Sequence, residues 1–243
     1  MGSHLVDALV ERGDEVVVLD NLRRGRPENL GGHLAAGAIK MHRGDIRQYE
    51  TVVRAAVGCE IVYHLAAQSN VMGALQDADY TFTTNVTGTF NVLKAASKVG
   101  ARRLIFASSR EVYGEPDSLP VRECAPLCAK NAYGVSKVAG EMYCSLWQQA
   151  HGLDCLVLRL ANLYGPRDAD RVIPLCLQRA RRGEDLVLFG GQQVLDFLWI
   201  GVAVRALLAS ATCPNDGPIN IGSGCGVPLA QLAERILALT HST

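Results

Sequence analysis

The spacing of apolar and polar positions changes several times along the chain. Leu5, Leu9 and Val6 or Val10 share one face at helical spacing and Gly13 supplies a stop, so residues 3–12 predict a helix. Residues 15–19 predict a short, largely apolar strand that ends at Asp20. A weaker strand at 38–42 leads through Gly44-Asp45 into a helix at about 47–57. Further strands are predicted at 60–65, 103–108 and 153–160, separated by long helices at 83–99 and 132–151. These strands are apolar runs rather than in/out alternations. Strands of that kind are buried on both faces, which predicts an α/β fold with a parallel sheet covered by helices on each side.

After Gly165-Pro166 the pattern shortens. A helix at 171–182, strands near 186–189 and 194–200, a helix at 202–211, a short strand at 220–222 and a last helix at 229–239 are predicted. The expected division is a sheet domain at 1–165 and a smaller α/β lobe at 166–243, placed over the carboxyl edge of the sheet.

Composition narrows the class. The 243 residues carry 24 Lys+Arg against 24 Asp+Glu, with 49% hydrophobic and 20% charged residues. A chain this apolar collapses to a core and does not stay disordered. Balanced charge without a basic block argues against a nucleic-acid partner. The longest apolar candidate, at 197–211, is broken by Arg205 and is too short to span a membrane. Eight cysteines form no C-x-x-C pair, several sit in apolar runs, and no signal peptide is visible, so reduced thiols and a cytoplasmic protein are expected. The six histidines show no metal spacing, and no metal is expected.

Two regions carry candidate chemistry. Asp20 ends the strand where a dinucleotide-binding sheet places an acidic residue on the adenosine ribose. A carboxylate there repels a 2′-phosphate and favours NAD over NADP, although Arg23 and Arg24 lie near enough to blur the choice. Asp20 could equally be a turn residue. The Gly-rich phosphate loop that should precede the first helix is absent; Gly2 alone could be its last glycine. The first strand is also missing, and removing about five buried aliphatic residues forfeits on the order of 10 kcal/mol. That rivals the whole stability of a domain, about 5–15 kcal/mol. The expectation is therefore an N-terminally truncated chain. Elsewhere, Ser108-Ser109-Arg110-Glu111 follows a strand, and Tyr133 and Lys137 lie four apart on one helix face. An ammonium beside a phenol lowers its pKa from about 10 toward neutrality. Tyr133 could then take a proton from a hydroxyl while hydride leaves the same carbon, with Ser109 orienting that hydroxyl.

With these residues in place the chain resembles the extended short-chain dehydrogenase/reductases, in particular the NAD-dependent sugar-nucleotide epimerase/dehydratases. The likeness runs through Gly2-Ser3-His4-Leu5, Asp20-Asn21-Leu22, Gly44-Asp45-Ile46, His64-Leu65-Ala66-Ala67-Gln68 and Asn85-Val86-Thr87-Gly88-Thr89. It continues through Tyr133-Gly134-Val135-Ser136-Lys137, the segment at 159–166 containing Asn162, Asp196-Phe197 and Asn220-Ile221-Gly222. The resemblance implies a Rossmann-like doubly wound sheet with a smaller substrate lobe, and bound NAD. It implies Ser109, Tyr133 and Lys137 as catalytic residues. Gly2, Asp20, Asn21, Asp45, Ile46, Leu65, Ala66, Ala67 and Asn85 would line the cofactor, together with Tyr133 and Lys137. Ser109, Glu111 and Asn162 would meet a nucleotide-sugar substrate. It also implies a homodimer through the two long helices.

The implied reaction is 4-epimerisation of a UDP-hexose through a 4-keto intermediate. A dehydratase on this scaffold needs an acid just after the catalytic hydroxyl residue. Here that place holds Arg110, which cannot donate a proton at ordinary pH, while Glu111 could be a base or merely an ion-pair partner of Arg110. A dehydratase, decarboxylase or reductase remains the alternative, and a catalytically impaired remnant is the third reading. Leu195 stands where many epimerases carry an arginine for the diphosphate, and the chain stops at Thr243, before the last elements of the family's substrate lobe.

Overall fold

The structure, a computed structural model, describes residues 1–188 and 190–241. It opens with α1 (Gly2–Arg12), which ends on Gly13 in the left-handed conformation, φ 88°, and then β1 (Val16–Asp20). Next come α2 (Gly31–Ala35), β2 (Ile39–Arg43), α3 (Tyr49–Ala56) and β3 (Ile61–His64). Short helices α4 (Val71–Gln76) and α5 (Ala78–Thr81) lead through a π-helical stretch, Phe82–Thr87, into α6 (Gly88–Lys98). β4 (Arg103–Ser109), α7 (Ala132–His151) and β5 (Asp154–Leu160) complete the first half. Beyond them lie β6 (Asn162–Tyr164), α8 (Val172–Arg181), β7 (Val194–Trp199), α9 (Ile200–Ala209), β8 (Ile219–Ile221), β9 (Gly226–Pro228) and α10 (Leu229–Thr240).

The main sheet is wholly parallel, in the order β3-β4-β5-β8, and β1-β2 form a second parallel pair. β4 is buried at all seven positions, as a doubly covered strand must be. Its side chains divide between two cores. Ile105 and Ala107 join Leu5, Leu9, Ala203 and Leu207 from α1 and α9. Leu104 and Phe106 join Val92, Leu93, Ala96, Cys144 and Trp147 from α6 and α7. β5 alternates in the same way, with Leu156 and Leu158 in the first core and Cys155 and Val157 in the second. The period-2 alternation is thus present, but both sides of it are apolar.

β1 and β3 contribute Val16, Val18, Ile61 and Tyr63 to the first core, yet they share no ladder. Apart from Val16 and His64, the residues of both strands are only half-buried, unlike β4. Among the described residues no strand pairs with both.

Several expectations are corrected. The helix expected at 83–99 is the last part of a longer helical run from Ala78, which Asp77 starts by accepting a hydrogen bond from the Tyr80 N–H. The strand expected near 186–189 has no ladder over Leu186–Leu188, and Phe189 lies outside the described residues. A cut at 165/166 does not divide the molecule either. β8 pairs with β5 in the main sheet, and α9 packs on α1, so both elements return to the first core. The smaller lobe is made by β6-β7-β9 and by α8 and α10, which close around Cys176, Ala180 and Ile236. All eight cysteines are free thiols. Among the described residues no helix is long and apolar enough to cross a membrane, and no cluster of three His, Cys, Asp or Glu could hold a metal ion.

α7 approaches β4 closely because Gly140 has no side chain. A Cβ there would stand 2.4 Å from Cζ of the buried Phe106 ring. Gly140→Ala should therefore lower unfolding stability by about 1–3 kcal/mol, the usual cost of overpacking, even though alanine is the better helix former. Urea denaturation reads the difference.

Candidate active site

The carboxyl ends of β1 to β5 carry the expected residues. β4 ends in Ser109, whose hydroxyl accepts a hydrogen bond from the Glu111 N–H at 3.2 Å and starts the 3-10 turn Arg110–Val112. α7 begins beside it, because the Asn131 side chain caps the Gly134 N–H at 2.8 Å. The same Asn131 donates its Nδ2 to Glu111 at 2.7 Å, tying the helix start to the strand end. Tyr133 lies in the first turn of α7 and Lys137 one turn later. The spacing read in the sequence thus places both on the β4 side.

The Lys137 Nζ donates to the Ala107 carbonyl at 2.7 Å, stands 4.8 Å from the Phe106 ring centroid and 5.8 Å from that of Tyr133. Burial lowers the Lys137 pKa to about 8, with Cys144 and Glu141 pulling the other way. Tyr133 is only half-buried as a residue. Loss of hydration at its hydroxyl nevertheless raises its pKa; a hydrogen bond with Ser109 and the charges of Arg171 and Arg110 oppose this, while Glu111 adds to it. From the sequence, the ammonium, with a bound nicotinamide cation adding to it, is expected to bring the phenol toward neutrality; with the protein groups alone the phenol pKa stays above its ordinary value, and Lys137 is not among the groups that lower it.

Glu111 is fully engaged. One oxygen pairs with Arg110 at 2.7 Å, and the other accepts from Asn131. Arg110 also donates its Nε to Asn162 at 3.3 Å, and Asn162 donates to the Asp196 carbonyl at 3.0 Å. Ser109, Glu111 and Asn162 are thereby joined by one run of polar contacts. Asp196 serves the small lobe by accepting hydrogen bonds from the backbone of Ser223 and Gly224 at 2.9 and 3.0 Å. Gly222 allows this approach, since a Cβ there would meet Asp196 at 2.6 Å.

A second group gathers at β1 and β2. Asp20 accepts from the Leu22 N–H at 2.7 Å, with Leu22 at φ 61°, so the turn role is filled. Asn21 donates to Asp45 at 2.9 Å and to Tyr80 at 3.2 Å. Burial works against the Asp45 charge, but hydrogen bonds from Arg47 and Asn21 bring its pKa down to about 2. Ile46 packs beneath Gly88, and its carbonyl accepts from Asn91 at 3.0 Å. Arg23 and Arg47 lie over the Tyr80 ring, 3.6 and 4.9 Å from its centroid. Arg23 also pairs with Asp77 and Arg24 with Asp170. Neither arginine is bound to Asp20.

Leu65, Ala66 and Ala67 follow β3 directly, with Ala66 exposed. Asn85 is a strut. It holds both the N–H and the carbonyl of Gln68, at 2.7 and 3.1 Å, and donates to Ser136 at 2.9 Å. Gly2 opens α1, whose start is charged. Arg24, Asp168, Arg167 and Arg171 lie near it. Asn131, Arg171 and the pair Glu141–Arg159 were missed in the sequence. Only Asn131, three residues before a helical glycine and just ahead of an apolar run, carried a readable capping signal.

His64 ends β3 as a buried, neutral ring. Thr89 Oγ1 donates to the Asn85 carbonyl at 2.6 Å, so the proton between His64 and Thr89, 2.8 Å apart, belongs to the imidazole Nε2. Burial, then Lys137, lower the His64 pKa from 6.5 to about 3. The unfolded chain therefore binds a proton that the folded one refuses. Stability should fall by up to about 1.4 kcal/mol per pH unit as the pH drops from 6.5 toward 3. Urea midpoints at pH 7.5 and 5 should show this loss, and His64→Gln should shrink it.

Comparison with known proteins places this geometry. Residues 1–222 match the model of the NAD dependent epimerase/dehydratase family. The UDP-glucose 4-epimerase of Mycolicibacterium smegmatis is 32% identical over 240 residues, covering 96% of this chain and 77% of that protein. UDP-glucuronic acid decarboxylase 1 of Arabidopsis thaliana is also 32% identical, over 96% of this chain but 54% of its own length. Among solved structures, the UDP-glucose 4-epimerase of Thermotoga maritima, solved with UDP-glucose, superimposes with a TM-score of 0.93 at 32% identity. That match covers 99% of this chain and 79% of that one.

Proposed function

Because the chain belongs to the NAD dependent epimerase/dehydratase family, we propose that it interconverts UDP-hexoses by 4-epimerisation, with Ser109, Tyr133 and Lys137 as its catalytic residues. The observation that carries this reading is the pairing of Tyr133 with Ser109 where the next residue is a cation bound to Glu111. A dehydratase must protonate the leaving hydroxyl at C6, and a guanidinium supplies no proton. Glu111, held by both Arg110 and Asn131, is no free base.

NAD is the family's cofactor, and the donor set suits it. Asp20 has one oxygen on the Leu22 N–H and a second for a ribose hydroxyl. Arg23 and Arg24 are bound to Asp77 and Asp170 rather than poised for a 2′-phosphate, which favours NAD over NADP. Asn21, Asp45 and Ile46 would flank the adenine, and Leu65, Ala66 and Ala67 the middle of the cofactor. Gly2, at a helix start surrounded by Arg24, Arg167 and Arg171, would face the diphosphate. When bound, NAD supplies a reversible hydride acceptor and a cationic ring that favours the phenolate. Tyr133 takes the proton of the C4 hydroxyl and returns it after the sugar has turned. Ser109 holds that oxygen, and Lys137, anchored on Ala107, faces the phenolate. Asn162 would meet the substrate diphosphate.

Purified protein given NAD and UDP-glucose should form UDP-galactose, and Tyr133→Phe should lower kcat by about 10²–10⁴-fold, the contribution of positioned acid–base catalysis. A 4-keto-6-deoxy product from TDP-glucose, absorbing in alkali, would overturn the epimerase assignment in favour of a dehydratase.

A homodimer is part of the proposal. α4, the π-helical stretch, α6 and α7 leave Met72, Leu75, Phe82, Phe90, Met142 and Leu146 exposed, and large apolar side chains left exposed together mark an interaction surface. Met142→Glu with Leu146→Glu should reduce the mass measured by light scattering from a dimer to the 26.1 kDa monomer.

A further inference from the structure

A buried polar network behind the catalytic group is not used by the reaction as described. Tyr133, Lys137 and Glu141 recur every fourth residue, so one face of α7 carries all three. Each meets the end of β4 in turn. Tyr133 bonds Ser109, Lys137 donates to the Ala107 carbonyl at 2.7 Å, and Glu141 accepts from the Ser108 hydroxyl. Glu141 in turn faces Arg159, the residue that lies beside Ser108 on the neighbouring strand β5. The guanidinium binds both carboxylate oxygens, Nε at 3.0 and 3.1 Å and Nη2 at 2.7 Å, with side-chain exposures of 5% and 7%. Its Nη1 donates to the Tyr113 hydroxyl at 2.7 Å and to the Glu123 carbonyl at 2.9 Å, and Tyr113 donates to Asn220 on β8 at 2.7 Å.

We propose that Glu141, anchored by Arg159, is a positioning residue of the reaction: it fixes Ser108, and with it Ser109, against α7, and it places a carboxylate one helical turn from the Lys137 ammonium. The placement argues for this beyond packing. Three consecutive β4 residues are held by three consecutive turns of one helix, so a shift at Ser108 displaces both the Ser109 hydroxyl and the carbonyl under Lys137. The charge argument is equally local. The titratable groups around Lys137 are Tyr133, Glu141 and Cys144 on α7 and His64 at the end of β3; the Phe106 ring and the Ala107 carbonyl face it from β4. His64 is neutral, and Cys144 is a buried thiol whose pKa is raised by its hydrogen bond with Cys155 and by burial. Glu141, held through both oxygens by the Arg159 guanidinium, is the carboxylate of that set. Its presence raises the Lys137 pKa against the effect of burial, and so keeps more ammonium available to the phenolate.

The inference rests on the proposed function for its kinetic readout, but the Lys137 titration does not need turnover. Glu141→Gln alone leaves Arg159 buried and unpaired and can prevent folding, so the informative variant is Glu141→Leu/Arg159→Met, which removes both charges and keeps the volume. Both proteins are melted, titrated by NMR of 13C-lysine with Lys137 assigned through Lys137→Met, and assayed with NAD and UDP-glucose. The double variant should melt near the wild type while its Lys137 midpoint moves to lower pH. Its kcat should fall roughly 10- to 100-fold with KM little changed, as expected when reacting groups are displaced by a fraction of an ångström. The alkaline limb of its kcat profile should move to lower pH with the Lys137 midpoint. A folded double variant with an unchanged Lys137 midpoint and unchanged kcat would overturn the proposal and leave the network purely structural. If the wild type turns over no UDP-hexose, the epimerase reading fails by itself, and the shifted or unshifted Lys137 midpoint still decides the role of Glu141.

Discussion

An ammonium donated to the carbonyl of Ala107, one residue pair short of the strand end, holds the site together. Lys137 is buried, and a buried amine is tolerated only with good partners. Those partners are a main-chain oxygen, an aromatic face and a nearby carboxylate, all fixed by the packing of α7 on β4. The packing needs Gly140 opposite Phe106. At the start of the same helix, the Asn131 cap and its bond to Glu111 fix α7 beside Ser109. The chemistry of the site is thus a consequence of how closely one helix can lie across one strand.

Much of this was legible in the sequence because it depends on local period. The apolar runs of β4 and β5 announced strands covered on both faces, and the two cores that split Leu104 and Phe106 from Ile105 and Ala107 are the reason no alternation was visible. The four-residue spacing of Tyr133 and Lys137 needed only a helix to put both on one face. α7 also runs over the span that its apolar pattern marked, stopped by Gly152 in the left-handed conformation.

What was not legible depends on distant partners. The division at Gly165-Pro166 follows a real change of pattern, but a three-residue strand such as β8 has too little sequence to show that it will return to β5. The start of the helical run at Ala78 is set by the Asp77 side chain, a capping signal that lies before the apolar repeat. Arg159 and Glu141 read as ordinary polar positions in an apolar strand and an amphipathic helix. Only the sheet register, which sets Arg159 beside Ser108, reveals them as a buried pair.

The behaviour of Tyr133 follows from the same logic of partners. A phenol sunk beside a desolvated amine does not ionise readily, because burial penalises both charged forms and the amine is partly neutral near pH 8. The protein groups therefore prepare the site without turning it on. Arg110 and Arg171 favour the phenolate and Glu111 disfavours it, while Glu141 maintains the charge of Lys137. In the proposed reaction, a site balanced in this way would gain its full base strength only when another positive charge arrives beside the phenol. That would tie proton removal by Tyr133 to a loaded cofactor.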